Sequence, residues 1–279
     1  MVVEITNVCN FNCPQCAYTP PADKRFIRVD TFALMARQAA EAGAELIRFL
    51  GLGEPTLHPR IGTLISTVRR AGLASHLISN GSFTLRPAVR EEIARHLPDV
   101  LEISLDAATP ASFRLTRGRT EAYYTQLIDA VGEFMSRARP DGRQMVVSFV
   151  AHPETLQEIP LFRQRWSGLA DAVRIRVPHT FSGQAAGLPS QRGASAQSTP
   201  SMPSCSFLTD RIAVAADGTV SSCNLDFDQR HVLGQLGNGF HLADLWRSPR
   251  RLALRARVEK GNSDAQCSTC SKCAGLVFR

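Results

Sequence analysis

The sequence predicts an α/β protein built on a mostly parallel sheet that forms an open barrel. Over residues 2–177 the hydrophobic pattern switches repeatedly between short apolar runs and helical spacing, which is typical of repeated strand–helix units. The 279 residues are 44% hydrophobic and 20% charged, an ordinary globular balance that excludes wholesale disorder. At ~150 residues per domain, this length favours one large domain with a small appendage.

Six apolar runs predict the strands, at residues 2–5, 46–50, 76–79, 100–105, 145–150 and 172–177. Five stretches of helical spacing lie between them, at residues 31–41, 60–70, 87–96, 121–138 and 155–166. End signals of these helices are Asp30 as an N-cap, Pro59 and Pro87 near first turns, and Gly43 and Gly72 as left-handed C-terminal residues. Five connecting helices favour an open barrel over a closed one of eight strands. Reactive groups are expected on the loops that follow the strands.

Residues 182–204 predict a linker or mobile flap, because they contain a single charged residue, Arg192, and little apolar bulk. A segment of this kind cannot bury a face against a core, so it marks a domain boundary. We therefore expect a barrel domain at residues 1–181 and a small domain at residues 205–279.

The small domain is expected to contain a hairpin and short helices. Residues 211–220 are typical of two strands that turn at Asp217-Gly218, and residues 242–258 predict one or two helices interrupted at Pro249. This segment has too little apolar material for a core of its own. Small domains of this kind usually need a metal or disulfide staple.

Charge and hydropathy restrict the location and the partners of the protein. No apolar run approaches the ~20 residues that cross a bilayer, and the first residues lack a signal peptide, so a cytoplasmic protein without a membrane partner is expected. The net charge of +7 is compatible with an acidic or phosphorylated ligand. Nucleic-acid binding by the arginine-rich residues 247–257 is the less favoured interpretation, because a solvated helical face is commoner.

The eight cysteines fall into two separate groups, one of three residues and one of five. In a reducing compartment such a set favours metal or redox chemistry over four disulfides. Cys9, Cys13 and Cys16 follow the first strand, and three thiolates on one loop reach one face of a cube-shaped cluster, leaving the fourth iron open. A structural zinc site is the alternative, but zinc prefers four ligands and the first histidine in the chain is His58.

This cysteine loop and four later segments resemble the radical S-adenosylmethionine (radical SAM) superfamily, whose CxxxCxxC loop follows the first strand of a partial (β/α)6 barrel. Each segment is weak alone, but all occur in the family's order after successive predicted strands. The segments are Gly51-Leu52-Gly53-Glu54-Pro55 for the family's GGEP, Ser79-Asn80-Gly81 for its TNG, Ser104-Leu105-Asp106 for its SxD, and Arg117-Gly118 for its RG. Gln15 departs from the pattern, because many members have an aromatic residue there.

The resemblance implies a [4Fe-4S] cluster on the first three cysteines, with SAM bound beside it. The GGEP-like segment would hold the amino group of SAM, and Ser104 and Arg117 its ribose and carboxylate. The implied SAM-binding residues are Gly51, Gly53, Glu54, Pro55, Asn80, Ser104 and Arg117. The cluster would take an electron from a donor such as flavodoxin or ferredoxin and split SAM. The resulting 5′-deoxyadenosyl radical would then take a hydrogen atom from an unactivated C–H bond.

The second cysteine group resembles the SPASM/twitch extension of some radical SAM enzymes. The resemblance rests on the Asp217-Gly218 hairpin, on Leu233-Gly234 and Leu245-Trp246, and on the spacing of Cys205, Cys223, Cys267 and Cys270. It implies a second, auxiliary [4Fe-4S] cluster ligated by Cys205, Cys223, Cys267 and Cys270. A structural zinc site remains the alternative.

Cys273 is the thiol left over after both clusters are assigned. It is either inert, or a substitute ligand for Cys270, or a hydrogen-atom donor that quenches a carbon radical on the substrate. A donor role predicts epimerisation. Loss of a proton from the substrate radical, with its electron passed to the auxiliary cluster, predicts dehydrogenation instead.

Twitch-bearing members act on aminocyclitols and aminoglycosides, on nucleotides, and on peptides. Peptide-modifying members commonly carry a leader-binding domain before the barrel, whereas this sequence opens on the first predicted strand. The expected substrate is therefore a small polar molecule, an amino sugar or aminocyclitol of natural-product biosynthesis. Asp106, Asp226 and His179 are the candidate substrate contacts. A peptide-modifying enzyme and a zinc-stabilised nucleic-acid-binding protein are the remaining hypotheses.

Overall fold

The computed structural model of the chain describes residues 1–137, 142–176, 178, 205–227, 229–237, 239 and 241–260. The strands are β1 (Val2–Val3), β2 (Leu46–Phe49), β3 (Ala74–Ser79), β4 (Val100–Ser104), β5 (Gln144–Val150), β6 (Ala172–Arg176), β7 (Ala213–Val214), β8 (Thr219–Ser221) and β9 (Val232–Gln235). The helices are α1 (Val29–Glu41), α2 (Ile61–Arg70), α3 (Pro87–Arg95), α4 (Pro110–Arg117), α5 (Glu121–Arg137), α6 (Ile159–Trp166), α7 (Ser206–Asp210), α8 (Leu242–Trp246) and α9 (Pro249–Glu259).

These strands form one sheet in the order β6-β5-β4-β3-β2-β1-β7-β8-β9. Strands β1 to β6 are parallel neighbours, which confirms the predicted α/β class and the six strands of a partial barrel. The crossover helices predicted between them are present. Because all six strands point the same way, their carboxyl ends meet at one edge of the sheet.

The predicted hairpin of the small domain is present and continues the barrel sheet. Strand β7 pairs in parallel with β1. Strand β8 pairs antiparallel with β7 on one side and with β9 on the other. The amide of Glu4 donates to the carbonyl of Val214 at 2.8 Å, and Gly218 takes a φ of +87° in the turn. The backbone of β1 therefore ties the hairpin to the barrel.

Three local details differ from the sequence-based expectations. Helix α1 begins at Val29, so Asp30 lies in its first turn and not at the N-cap. Helix α4 was not predicted, although Thr109 caps it by accepting a hydrogen bond from the amide of Ser112, with a proline at the first position. Strand β9 was also not predicted, because four half-buried residues carry little periodic signal.

The two faces of the sheet differ in character because side chains alternate along each strand. One face packs under the helices and forms the core, with fully buried Ile47, Phe49, Leu77, Leu101, Ile103 and Val147. The opposite face of the same strands carries polar side chains, among them Arg48, His76, Glu102 and Ser148. The barrel therefore has an apolar exterior layer and a charged interior. None of the described helices is long and apolar enough to cross a bilayer.

Gly53 lies where the loop after β2 touches the loop after β1. A Cβ atom at this position would lie 1.9 Å from the carbonyl oxygen of Thr6, which is an impossible contact. The next amide, of Glu54, donates to the carbonyl of Val8 at 2.8 Å. The absence of a side chain at Gly53 is therefore required for the two loops to meet.

We expect Gly53→Ala to destabilise the protein, because the loops must separate to admit the methyl group. Overpacking of this kind costs about 1–3 kcal/mol. In helix α5, Gly132→Ala is the matched control, since its Cβ would meet only Leu169 Cδ1 at 4.0 Å. Alanine should stabilise that helix by up to about 1 kcal/mol. Thermal unfolding under anaerobic conditions measures both variants, and an unchanged Tm for Gly53→Ala would contradict the required close approach.

Candidate active site

A cavity of about 270 Å³ opens at the carboxyl ends of the parallel strands. It brings together the first cysteine group and the residues that the family resemblance assigned to SAM. Its lining includes Cys9, Cys13, Cys16, Gly51, Gly53, Glu54, Pro55, Asn80, Ser104, Asp106 and Arg117. Glu102, His152 and Arg176 also line it, although sequence reasoning did not select them.

The three thiols of the cysteine loop each lie within reach of an N–H donor. The amide of Phe11 approaches Cys9 Sγ at 3.5 Å, the amide of Tyr18 approaches Cys16 Sγ at 3.4 Å, and Arg117 Nη1 approaches Cys13 Sγ at 3.7 Å. Hydrogen bonds to sulfur are one of the means by which proteins tune iron–sulfur clusters. Burial raises the pKa of the Cys9 thiol to about 12, so metal binding must displace its proton.

The arrangement of these thiols fits a cluster better than a single ion. In the described residues, no three His, Cys, Asp or Glu side chains converge on a point where one metal ion could sit. The three thiols nevertheless line one cavity. In a [4Fe-4S] cluster each thiolate binds a different iron, so the ligands surround the cluster without converging on one atom.

Glu54 is buried, and its side chain links the loop after β2 to the end of β3 at the cavity. Its Oε1 atom accepts hydrogen bonds from the Thr56 amide at 3.0 Å and from the hydroxyls of Thr56 and Ser79 at 2.7 and 2.8 Å. Its Oε2 atom accepts from the amide of Asn80 at 2.7 Å. These four donors carry no formal charge. These donors do not neutralise the carboxylate, which lies at the cavity where an ammonium group would be attracted.

Asn80 braces the cysteine loop from the end of β3. Its Nδ2 atom donates to Oδ1 of Asn10 at 2.9 Å, and Nδ2 of Asn10 donates to the hydroxyl of Ser82 at 2.9 Å. Asn10 lies between two of the cysteines and was not selected from the sequence. The turn at Gly81, with a φ of +81°, places these partners together.

Asp106 and Arg117 form a buried ion pair at 2.8 Å. Arg117 also donates to the hydroxyl of Ser104 at 2.9 Å, and Gln15 Nε2 donates to Asp106 Oδ2 at 2.7 Å. Burial alone would lower the pKa of Arg117, but the charges of Asp106 and Cys13 raise it above its ordinary value. The backbone amide of Val150 also donates to the Asp106 carboxylate at 2.9 Å. The structure thus pairs Asp106, a predicted substrate contact, with Arg117, a predicted SAM contact.

A second ionic group lies on the barrel interior below Ser104. Glu102 on β4 binds Arg176 Nη2 at 2.6 Å, Arg174 Nη1 at 3.0 Å and His76 Nε2 at 3.2 Å. Burial opposes ionisation of Glu102, but these partners outweigh it and hold its pKa well below the usual range. The sequence of β6 could have indicated this group, because Arg174 and Arg176 are separated by one residue and must therefore lie on the same face of the strand.

His152 follows β5 and is 1% exposed. Among the contacts that the structure describes, neither of its ring nitrogens has a hydrogen-bond partner. Burial lowers the pKa of His152, with Asp106 acting in the opposite direction. A neutral imidazole that lines the cavity and lacks partners is available to a bound ligand.

The structure describes two cysteines of the second group. Burial and, to a smaller extent, the charge of Cys205 raise the pKa of the Cys223 thiol to about 11. Asp226, a predicted substrate contact, accepts the amides of Arg230 and His231 at 2.9 and 2.7 Å, which shapes the turn after β8. Other predicted residues lie outside the described part of the chain: His179, Cys267, Cys270, Cys273 and the linker at residues 182–204.

Two family models match separate parts of the chain. Residues 3–164 match the Radical SAM superfamily, and residues 205–274 match SPASM, an iron–sulfur cluster-binding domain. The PqqA peptide cyclase of Gluconobacter oxydans (strain 621H) is 28% identical over 186 residues, which is 64% of this chain and 49% of that protein. This chain therefore spans about half the length of that curated relative.

Two solved structures share the fold over nearly the whole chain. BtrN in complex with AdoMet and 2-DOIA has a TM-score of 0.61 at 17% identity, covering 99% of this chain and 92% of that one. Native anSMEcpe with bound AdoMet and Cp18Cys peptide has a TM-score of 0.66 at 14% identity, covering 99% and 88%.

The superfamily match implies a [4Fe-4S] cluster and SAM, and the SPASM match implies further iron–sulfur ligation. The first match covers more than half of the chain. It includes the cysteine loop and the cavity-lining residues from Gly51 to Arg117. This protein therefore belongs to the radical SAM superfamily and carries a SPASM iron–sulfur domain in residues 205–274.

Proposed function

We propose that this protein is a radical SAM enzyme that removes a hydrogen atom from a carbon of an amino sugar or aminocyclitol in natural-product biosynthesis. One observation carries the radical chemistry: a single cavity is lined by three thiols, the buried carboxylate of Glu54 and the paired Ser104 and Arg117. The full-length similarity to BtrN, with its small ligand 2-DOIA, supports a small substrate.

Each residue of the cavity has a proposed role. Cys9, Cys13 and Cys16 hold the cluster and leave one iron open, Glu54 attracts the amino group of SAM, and Ser104 holds the ribose. Together the bound cluster and SAM supply a 5′-deoxyadenosyl radical once a donor such as a cytoplasmic flavodoxin or ferredoxin provides one electron. The remaining residues orient the substrate and exclude water.

For the outcome of the reaction we propose epimerisation with Cys273 as the hydrogen donor. Its S–H bond would break, and the hydrogen atom would pass to the substrate carbon on the face opposite to abstraction. Cys205 and Cys223 would hold the auxiliary cluster with Cys267 and Cys270. Restoring the thiol from the thiyl radical needs one electron and one proton; the electron donor would supply the electron through the auxiliary cluster, and solvent would supply the proton.

Dehydrogenation is the second candidate, and His152 favours it. Oxidation of a secondary alcohol radical releases one proton and one electron, so it needs a proton acceptor at the cavity and an electron acceptor near it. His152 is neutral because burial lowers its pKa, and it lines the cavity. A third candidate is peptide modification, supported by the similarity to anSMEcpe bound to a peptide and to PqqA peptide cyclase.

We expect Cys13→Ala to abolish SAM cleavage, because two thiolates cannot retain the open cluster. The reconstituted wild type should be brown, contain about eight iron and eight sulfide per chain, and release 5′-deoxyadenosine with dithionite. The variant should contain about four of each and release none. Cys273→Ala is the control and should keep both the iron content and SAM cleavage. A colourless wild type would instead favour a zinc-stabilised protein without this chemistry.

Turnover in deuterated water distinguishes the two outcomes. Epimerisation predicts a product one mass unit heavier than the substrate, because the exchangeable thiol delivers deuterium. Dehydrogenation predicts a product two mass units lighter. Under epimerisation Cys273→Ala should stop turnover while SAM is still cleaved, and unchanged turnover would remove the donor role.

The pH dependence of turnover tests His152. Its lowered pKa means that the acceptor is neutral at pH 7 and becomes protonated as the pH falls through a value below its usual ~6.5. Under dehydrogenation, kcat should fall on that acidic side, and His152→Gln should lower kcat by roughly 10²–10⁴ and remove this limb of the profile. His58→Gln is the control, because His58 is also buried but does not line the cavity, and its Nε2 atom donates to the carbonyl oxygen of Ile27 at 2.9 Å. An unaltered profile in His152→Gln would exclude the acceptor role.

A further inference from the structure

The charged group inside the barrel contains more positive than negative charge. Arg174 and Arg176 both bind the single carboxylate of Glu102, whose side chain is 1% exposed. The two arginine side chains remain 39% and 44% exposed. Both arginine side chains therefore keep part of their surface accessible while they bind the buried carboxylate.

The next layer of the interior adds a further positive charge. Arg48 Nε donates to Nδ1 of His76 at 3.1 Å, so the Nε2 atom of His76 carries the proton and donates to Glu102. His76 is neutral in this arrangement, since burial lowers its pKa. Arg174 and Arg176 bind Glu102 directly, and Arg48 is joined to it through His76, so this hydrogen-bonded group of described residues contains three arginines and one carboxylate.

The register of the sheet places this excess charge at the floor of the cavity. Arg174 pairs with Ser148, which pairs with Ser104, and Glu102 lies two residues before Ser104 on the same face. Because Arg174 and Arg176 reach back to Glu102, their guanidinium groups lie below the level of Ser104. Glu102 and Arg176 both line the cavity.

We propose that Arg176, which lines the cavity, and Arg174, which binds the same carboxylate of Glu102, together bind an anionic group, a carboxylate or a phosphate, of a molecule that fills this cavity. The proposal rests on the proposed function and narrows its substrate class. A planar guanidinium forms paired hydrogen bonds with either anion, and Glu102 holds both arginines in position beforehand. The anion belongs either to the carboxylate of SAM or to the substrate. Arg117 is balanced by the carboxylate of Asp106, whereas Arg174 and Arg176 share the single carboxylate of Glu102.

Equilibrium binding to the reconstituted protein separates these two sources without any turnover. SAM affinity is measured first, and inorganic phosphate is then titrated into the SAM-saturated protein by calorimetry. Arg174→Gln and Arg176→Gln should each weaken one of these affinities by about tenfold or more. Arg163→Gln, on the exposed surface of α6, is the matched control and should change neither.

The pattern of losses identifies the anion. Weaker phosphate binding with unchanged SAM affinity assigns the site to a substrate anion, so the amino sugar would carry a phosphate or carboxylate. Weaker SAM binding alone assigns it to the SAM carboxylate. Unchanged affinities in both variants, with intact cluster absorbance and Tm, would overturn the proposal. Failure to release 5′-deoxyadenosine would contradict the proposed function but not these binding results.

A second variant tests whether the arginines serve only to neutralise Glu102. Glu102→Gln removes the buried carboxylate and leaves both arginines in place. If they bind an anion, phosphate or SAM should bind at least as tightly as in the wild type. If their role is purely structural, the double variant Glu102→Gln/Arg176→Gln should recover the affinity lost in Arg176→Gln, and that recovery would overturn the proposal.

Discussion

The parallel alignment of β1 to β6 is the constraint on which the site depends. Parallel strands end at the same edge, so the loops after β1, β2, β3 and β4 converge although they are far apart in the chain. The contact between Gly53 and Thr6, and the hydrogen bonds that Ser79 and Asn80 donate to Glu54, exist only because those strand ends are adjacent. A change of register by one residue would turn Ser104 and Glu102 into the apolar layer.

Charge burial is the second theme of the interior. Removing a carboxylate from water is costly unless a cation and hydrogen bonds replace the solvent. Asp106 satisfies this condition with Arg117, and Glu102 satisfies it with Arg174, Arg176 and His76. The first pair is balanced and closed, whereas the second has surplus positive charge and remains partly open to the cavity. The Asp106–Arg117 pair is therefore suited to stabilising the cavity wall, whereas the group around Glu102 is suited to binding a ligand.

The hairpin of the small domain depends on the barrel for its position. Strand β7 completes its hydrogen bonds on β1, the same strand that leads into the cysteine loop. Glu4 reinforces this junction, because its carboxylate accepts the amide of Leu52 at 2.8 Å while its own amide binds Val214. Burial raises the pKa of Glu4 despite these hydrogen bonds. The region around Cys223 is thereby linked through one strand to the loop that carries Cys9.

The sequence by itself determined the fold class, the six parallel strands, the cysteine loop and the segments that resemble SAM-binding motifs, because periodicity and motif order are local properties. It could not distinguish Asp106, which is paired with Arg117, from Glu102, which holds two arginines at the cavity floor. It also did not reveal His152 or Asn10. The partners of these residues lie on other strands, so their environment depends on register and on burial. Only the tertiary structure decided which charges cancel and which remain available, because that balance is set by neighbours distant in the chain.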